Sequence, residues 1–243
     1  ALTIRILDPG YRCRKTAHMS LIQSLKLVLS PPHRAATPFL AAGTLVGLLG
    51  RATPWRATRF LGNAGIAFTA FCLYFFRDPK RTPPPGSDLV LASADGRITS
   101  VSLVAPPVAL EMGAAPVWRV STFLSVLDVH INRMPVAGQV TKVAYHAGKF
   151  LNASLDKASE HNERNELLLT LADGRTIGVV QTAGLIARRI PSFVEEGDHL
   201  EAGERLGLSR FGSRTDVCLP PGVEPLVPDG QTMLGGETDL ADL

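Results

Sequence analysis

Residues 194–204 (VEEGDHLEAGE) and 227–237 (VPDGQTMLGGE) repeat one pattern in the last third of the chain. In each copy a glycine is followed six residues later by a second glycine that precedes a glutamate. Glycine is the usual residue where a tight turn needs a positive φ. The two copies therefore predict a pair of similar turns between short strands.

The sequence around these repeats, residues 82–243, consists of short strand-like runs separated by Gly and Pro. Apolar–polar alternation and β-branched residues predict eight strands. They lie at 89–92, 97–104, 117–126, 138–145, 166–171, 175–181, 206–211 and 215–219. Ala172-Asp173-Gly174 predicts a hairpin turn between two of them. We expect a mainly β (α+β) fold, compact and β-rich, whose glycine turns resemble the hairpins of lipoyl- and biotinyl-carrier hybrid barrels.

The first 81 residues have a different composition. They hold twelve Lys and Arg against Asp8 and Asp78, although the whole chain has a formal net charge of only +3. Residues 18–30 have the spacing of a short amphipathic helix, and two apolar runs follow at 35–50 and 60–76. Each run is shorter than the roughly 20 residues of a typical membrane-spanning helix.

This cationic and apolar composition favours a membrane anchor in anionic lipid, as a tilted hairpin, a re-entrant pair or a monotopic helix pair. A buried helical hairpin in a soluble core is the alternative. The proline-rich stretch 77–86 (RDPKRTPPPG) is the best boundary between two parts of the chain. We therefore predict an anchor at 1–81 and a catalytic-sized domain at 82–243.

Several classes of protein are disfavoured by composition. Cys13, Cys72 and Cys218 are far apart and show no metal-ligand spacing, so we expect reduced thiols and no metal site. The mixed residues 1–34 do not have the pattern of a cleaved targeting peptide. The basic excess coincides with apolar runs rather than with an aromatic, basic β face, which argues against nucleic-acid binding.

The densest chemical signal is residues 210–220 (RFGSRTDVCLP), in which two strand-like pieces meet at Gly212-Ser213. A Gly-Ser dipeptide is most often only a turn. Within strands, however, a tight bend at Gly212 would bring the Ser213 hydroxyl close to the preceding carbonyl. That geometry is what cleavage of the backbone by its own serine requires.

Six blocks together resemble the phosphatidylserine decarboxylase family in its short bacterial and archaeal form. They are FFRDPKR at 75–81, SADG at 93–96, FLSVLDVHINRMPVAG at 123–138, LDKASEHNERN at 155–165, GLIARRI at 184–190 and RFGSRTDVCLP at 210–220. The blocks span nearly all of the predicted β-rich domain.

The resemblance implies a proenzyme that cleaves itself between Gly212 and Ser213 and converts Ser213 into a covalent pyruvoyl group. The substrate amine would form a Schiff base with that group, and phosphatidylserine would lose carbon dioxide to give phosphatidylethanolamine. A β chain, 1–212, and an α chain, 213–243, would form a heterodimer, with higher oligomers left open. The family's Asp-His-Ser set matches Asp95, His130 and Ser213.

One position departs from the family pattern. Long-form relatives carry a second His three residues after the first, where this sequence has Arg133. Arginine is not a base at neutral pH, so His130 is left as the candidate for self-cleavage, decarboxylation or both. His146 and His161 are weaker substitutes. Arg188 and Arg189 are candidates to bind the lipid phosphate or the substrate carboxylate, with a solvated pair as the alternative.

The resemblance implies an enzyme at the cell membrane, with its catalytic domain on the cytoplasmic side. A different class of function is a lipoyl-type carrier, since Asp156-Lys157-Ala158 reproduces that family's DKA tripeptide and Lys157 would be the modified residue. The tripeptide is embedded in the polar stretch 154–165 (SLDKASEHNERN) without a clear strand before it, and a carrier needs neither an anchor nor the 210–220 block. We therefore place the carrier second.

Overall fold

A computed structural model describes residues 30–86, 88–148, 162–184, 190–209 and 212–243. A 3-10 turn at Arg34–Ala36 leads into helix α1, Thr37–Ala52, and helix α2 spans Arg56–Phe75. α1 has a proline in its first turn, where the missing amide donor costs nothing. The predicted amphipathic helix at 18–30 lies almost entirely outside the described residues.

The described part of the chain beyond α2 is built mainly from strands. They are β1 Leu89–Leu91, β2 Gly96–Val104, β3 Val117–Leu124, β4 Ile131–Arg133, β5 Gly138–His146, β6 Arg164–Thr170, β7 Thr176–Thr182, β8 His199–Leu200, β9 Arg205–Leu208, β10 Ser213–Cys218, β11 Thr232–Met233 and β12 Asp239–Asp242. The large sheet has the order β11-β2-β3-β10-β7-β6-β5-β8, and β1-β12 and β4-β9 form two small sheets. The predicted mainly β fold is confirmed.

Each of the eight predicted strands corresponds to one of these elements. The hairpin at 172–174 is also confirmed, because β6 and β7 pair antiparallel and the Gly174 amide donates to the Leu171 carbonyl at 3.0 Å. The prediction missed β4, β8, β11 and β12. These elements have two to four residues, which is too short for alternation to be visible in the sequence.

The core lies on one face of the large sheet. β10 runs between β3 and β7, and Val217 lies opposite Val120 and Val179 in its two neighbours. All three side chains are buried in the main apolar cluster. Because side chains alternate along a strand, Ser213 shares this face, whereas Asp216 points to the other one.

The two glycine repeats make equivalent hydrogen bonds. In both copies the amides of the first and second glycine donate to backbone carbonyls that lie in a strand or directly after one. These bonds run from Gly197 to Val140, from Gly203 to Met134, from Gly230 to Ile98 and from Gly236 to Ala92, at 2.7–2.9 Å. The repeated sequence therefore forms a repeated structure.

Helices α1 and α2 pack closely through glycines. A Cβ atom on Gly50 would lie 2.5 Å from the Gly62 nitrogen, and one on Gly65 would lie 2.7 Å from the Gly47 nitrogen. The outer surface of the pair carries exposed apolar side chains, including Leu45, Leu48, Leu49, Phe60, Leu61, Ile66 and Phe68. Segment Arg34–Ala52 is long and apolar enough to cross a membrane, with 17% of it buried. This composition indicates membrane association.

The proline-rich segment after α2 is held against the strands by ion pairs, of which only the one to Arg205 is half-exposed among the described residues. Asp78 lies 3.3 Å from Arg133 and 2.6 Å from Arg205, and Arg81 lies 2.6 Å from Asp95. The anchor and the β-rich part are therefore tied together at this point. The exact domain boundary at residue 81 stays a prediction.

Candidate active site

Gly212 and Ser213 lie at the start of β10. Gly212 has φ +69°, in the left-handed region that favours glycine, and Ser213 pairs with Leu124 of β3. The Ser213 side chain is fully buried, and its Oγ has no hydrogen-bond partner within the described residues. Ser93, Ser102, Ser121 and Thr182 also have hydroxyls without a partner there, so what distinguishes Ser213 is its position directly after the left-handed Gly212.

His130 lies just before β4 and is fully buried. Its Nδ1 is 2.9 Å from the Asp128 carbonyl oxygen, which only accepts, so Nδ1 carries the proton. Its ring also packs against Phe75, the last residue of α2, with 4.1 Å between ring centroids. Burial lowers the pKa of His130 to about 4. The imidazole is therefore neutral at neutral pH, with Nε2 as an available base.

Ser213 Oγ and His130 Nε2 are a buried donor and a buried acceptor, and neither has a hydrogen-bond partner in the part of the chain that the structure describes. A short path of hydrogen bonds connects their surroundings. The Ser209 amide donates to the His130 carbonyl at 3.0 Å, and the Ser209 hydroxyl donates to Asn132 Oδ1 at 2.7 Å. Asn132 Nδ2 in turn donates to Thr215 Oγ1 at 3.2 Å, two residues after Ser213.

The sequence analysis did not identify this network of buried amides. Gln181 Nε2 donates to Asn132 Oδ1 at 2.6 Å, and Asn165 Nδ2 donates to Gln181 Oε1 at 3.2 Å. All three amides are essentially unexposed. The available signal was Asn132 within HINRMP and Gln181 within an apolar strand, because amides in such positions need buried partners. The network ties β4, β6, β7 and β10 to one another and to Ser209, the residue after β9, and it reaches β10 two residues along the strand from Ser213.

The structure does not bring Asp95 into contact with His130. Within the described residues, Asp95 accepts from Arg81 Nη2 at 2.6 Å and from the Gly235 amide at 2.8 Å. Burial raises the pKa of the Asp95 carboxyl above its usual value, although the Arg81 charge opposes the shift. The expected orientation of His130 by an acid is supplied instead by the Asp128 carbonyl. A catalytic role for Asp95 stays a prediction.

Arg133, the position that departs from the long-form pattern, is a buried structural residue. Its guanidinium donates to the Gly203 carbonyl at 2.9 Å and the Pro79 carbonyl at 2.8 Å, besides its ion pair with Asp78. Planar guanidinium groups suit such multiple fixed contacts. The residue therefore holds the segment after α2 against the strands.

The other candidates fall elsewhere. His146 lies 3.6 Å from Glu166. Glu166 pairs with Val180 of β7, and Val180 pairs with Asp216 of β10, so Glu166 lies on the Asp216 face of the sheet, opposite Ser213. Arg188, Arg189, His161 and Lys157 lie outside the described residues. Within the described residues, hydrogen bonds through Ser209, Asn132 and Thr215 connect the surroundings of His130 and Ser213, and the catalytic roles of both residues stay predictions.

Sequence similarity to known proteins identifies the family of the chain. The family model for phosphatidylserine decarboxylase matches residues 68–241. The chain belongs to this family. It is 84% identical over 225 residues to a phosphatidylserine decarboxylase proenzyme of Gluconobacter oxydans, covering 93% of this chain and all of that protein. It is also 57% identical over 242 residues to the proenzyme of Granulibacter bethesdensis, covering 100% of this chain and 96% of that one.

Membership of the phosphatidylserine decarboxylase family makes the chain a decarboxylase, a lyase. The carrier interpretation is not supported, because the matching family and these relatives are decarboxylases. The matched region includes the end of α2 and all of the strands. Phe75, His130 and Ser213 thus all lie in the part of the chain that defines the family.

Proposed function

We propose that this chain decarboxylates phosphatidylserine to phosphatidylethanolamine with a pyruvoyl group that it forms from its own Ser213. The observation that carries this proposal is the buried, unpartnered Ser213 hydroxyl directly after Gly212 at φ +69°, in a chain of this family. The relatives are named as proenzymes, which agrees with maturation by cleavage.

Maturation begins with proton transfer from Ser213 Oγ to His130 Nε2. The oxygen attacks the Gly212 carbonyl carbon and displaces the Ser213 nitrogen, which takes up the proton from His130, giving an ester and a free amine. Elimination then removes the Ser213 Cα proton to a base and breaks the Ser213 Cβ–Oγ bond, so that chain 1–212 leaves with a carboxylate. Addition of water to the remaining unsaturated residue releases ammonia and leaves the pyruvoyl group at the start of 213–243.

The residues at the start of β10 fit a pyruvoyl group. Ser213 would supply its carbon atoms, and the fully buried position of Ser213 limits access of water. When formed, the group supplies an electron sink for the electrons released as carbon dioxide departs. His130, neutral at neutral pH and with its Nδ1 held by the Asp128 carbonyl, is the proposed residue to accept or return a proton here.

The two chains are expected to stay together after cleavage. Residues 213–243 supply β10 in the interior of the large sheet, and β11 and β12 pair with β2 and β1. Their apolar side chains, including Val217, Leu219, Met233, Leu240 and Ala241, are buried in the main core. We therefore propose a β–α heterodimer of 1–212 and 213–243 that does not dissociate without unfolding.

The membrane is the proposed location of the enzyme. The apolar outer surface of the α1–α2 pair suits lipid, and the nine Lys and Arg of residues 1–76 suit anionic headgroups. Residues 1–81 are the proposed anchor, and residues 82–243 the catalytic domain on the cytoplasmic side.

The equivalent hydrogen bonds of the two glycine repeats support a hybrid-barrel relationship for the domain at 82–243.

Arg188 and Arg189 remain the proposed anion-binding residues for the lipid phosphate or carboxylate. They follow β7, the strand that pairs with β10. Replacing each by Met should raise KM for phosphatidylserine more than it lowers kcat. An unchanged KM in both variants would remove them from the site.

The direct test is release of labelled carbon dioxide from phosphatidylserine in vesicles by the purified full chain. We expect release by the wild type and none by Ser213→Ala. Release by both proteins would show that Ser213 is not the source of the reactive group. A mature, two-chain protein without release would show that the substrate is a different one.

A further inference from the structure

The turn at residues 125–128 connects the end of β3 to His130. The Asp128 amide donates to the Ser125 carbonyl at 3.0 Å, and the Ser125 amide donates to Asp128 Oδ2 at 2.7 Å. These two bonds make a compact turn. At its start Leu124 pairs with Ser213, and at its end the Asp128 carbonyl fixes the His130 ring.

The same turn is tied to the end of the apolar helix pair. The Leu127 carbonyl accepts from the Tyr74 hydroxyl at 3.0 Å and from Arg77 Nη2 at 2.7 Å. The Arg77 guanidinium also lies 4.0 Å from the centre of the Tyr74 ring. One carbonyl therefore joins the turn to an aromatic and a cationic side chain at the base of α2.

The tip of the turn is apolar and exposed. Leu127 is 65% exposed and Val126 is 38% exposed. Leu73, one residue before Tyr74, is 45% exposed, so both elements joined through the Leu127 carbonyl carry exposed aliphatic side chains. Tyr and Arg beside exposed aliphatic side chains are the composition of a membrane–water interface.

We infer that the 125–128 turn inserts Val126 and Leu127 into the membrane interface and so holds His130 and Ser213 at the level of the lipid headgroups. This inference rests on the proposed membrane anchor. The bilayer is favoured over a protein partner because the tip continues the α2 surface, and two side chains are far too few for a stable protein interface. A phospholipid could then reach the site from the side, without leaving the bilayer.

Insertion depth tests the inference without needing activity. The full chain carrying Cys13→Ser is labelled with bimane at Leu127→Cys, while Cys72 and Cys218 are buried. Vesicles of phosphatidylglycerol and phosphatidylcholine brominated high on the acyl chain serve as the quencher. The matched control is Val108→Cys, an exposed apolar position (92% exposed) on a 3-10 turn.

We expect strong quenching at residue 127 and little at residue 108. Equal quenching at the two positions would overturn the inference. So would a bimane shift at residue 127 that needs no vesicles and grows with protein concentration, because a second copy would then cover the tip.

An activity measurement gives the second test. Leu127→Asp should lower kcat/KM for vesicle phosphatidylserine about tenfold more than it lowers kcat/KM for a dispersed short-chain analogue, since a charge disfavours insertion. Val108→Asp should leave the ratio of the two activities unchanged. Equal losses on both substrates in Leu127→Asp would assign the residue a purely structural role. Failure of all variants to release carbon dioxide would contradict the proposed function, whereas the depth result would still stand.

Discussion

The ring of Phe75, at the end of α2, lies 4.1 Å from the ring of His130, centroid to centroid. The apolar helix pair is thus in direct contact with the base proposed for the reaction. Phe75 and Phe76 share an apolar cluster with Val129, Ile131 and Leu208, residues that flank His130 and β9. Removing the whole anchor would uncover this cluster, so the helix pair supports the site as well as the attachment to lipid.

The low pKa of His130 predicts an unusual pH dependence for maturation. A base acts in its neutral form, and burial lowers the pKa of His130 to about 4. Cleavage of newly synthesised precursor, followed on gels, should be level from about pH 8 to about pH 5 and decline only near the lowered pKa. A decline centred near the ordinary histidine value would contradict a buried, desolvated base. Circular dichroism at each pH controls for unfolding.

Replacing His130 by Ala separates its two possible roles. If His130 is the base for Ser213, the variant stays as one uncleaved chain, because the hydroxyl keeps its proton. If His130 serves only decarboxylation, the variant matures to two chains and releases no carbon dioxide. We expect the uncleaved chain. Normal cleavage with normal turnover would exclude both roles.

Asp95→Asn should act mainly on stability. Arg81 is only 3% exposed in its side chain, so losing the Asp95 charge leaves this buried guanidinium with only its longer ion pair, 3.4 Å, to Glu237. Because that second pair remains, the loss should fall below the roughly 3–5 kcal/mol of a fully unpaired buried charge. Urea unfolding of the uncleaved Ser213→Ala background, with and without Asp95→Asn, measures the loss. If Asp95→Asn changes the stability by almost nothing and yet slows cleavage in a chain that retains Ser213, a direct catalytic role for Asp95 is favoured instead.

Gly212→Ala should slow cleavage through the backbone alone. A Cβ on Gly212 would meet nothing within 4 Å, but its φ of +69° is unfavourable for alanine by roughly 1 kcal/mol. Gly222 is a matched control, since it has φ +84° and equally open surroundings in a turn away from the cleavage site. Both variants should lose similar stability, and only Gly212→Ala should cleave more slowly. Equal cleavage rates would show that the left-handed bend does not assist attack.

The sequence predicted those features that depend on local pattern. The longer strands, the hairpin at 172–174, the apolar helices and the Gly212-Ser213 junction follow from alternation, turn residues and run length. The pairing of Asp95 with Arg81 could not be predicted, because they belong to separate blocks joined only by tertiary packing. The amide network of Asn132, Gln181 and Asn165 was missed for the same reason.

The central claim is that Ser213 becomes a pyruvoyl group, and intact mass spectrometry of the purified, denatured protein measures this directly. We predict two chains, 1–212 ending in an unmodified carboxylate and 213–243 beginning with a pyruvoyl group in place of serine. Treatment with borohydride should add two hydrogens to the second chain, and Ser213→Ala should give one chain of full length. A single uncleaved wild-type chain, or a 213–243 chain beginning with an intact serine, would contradict the account.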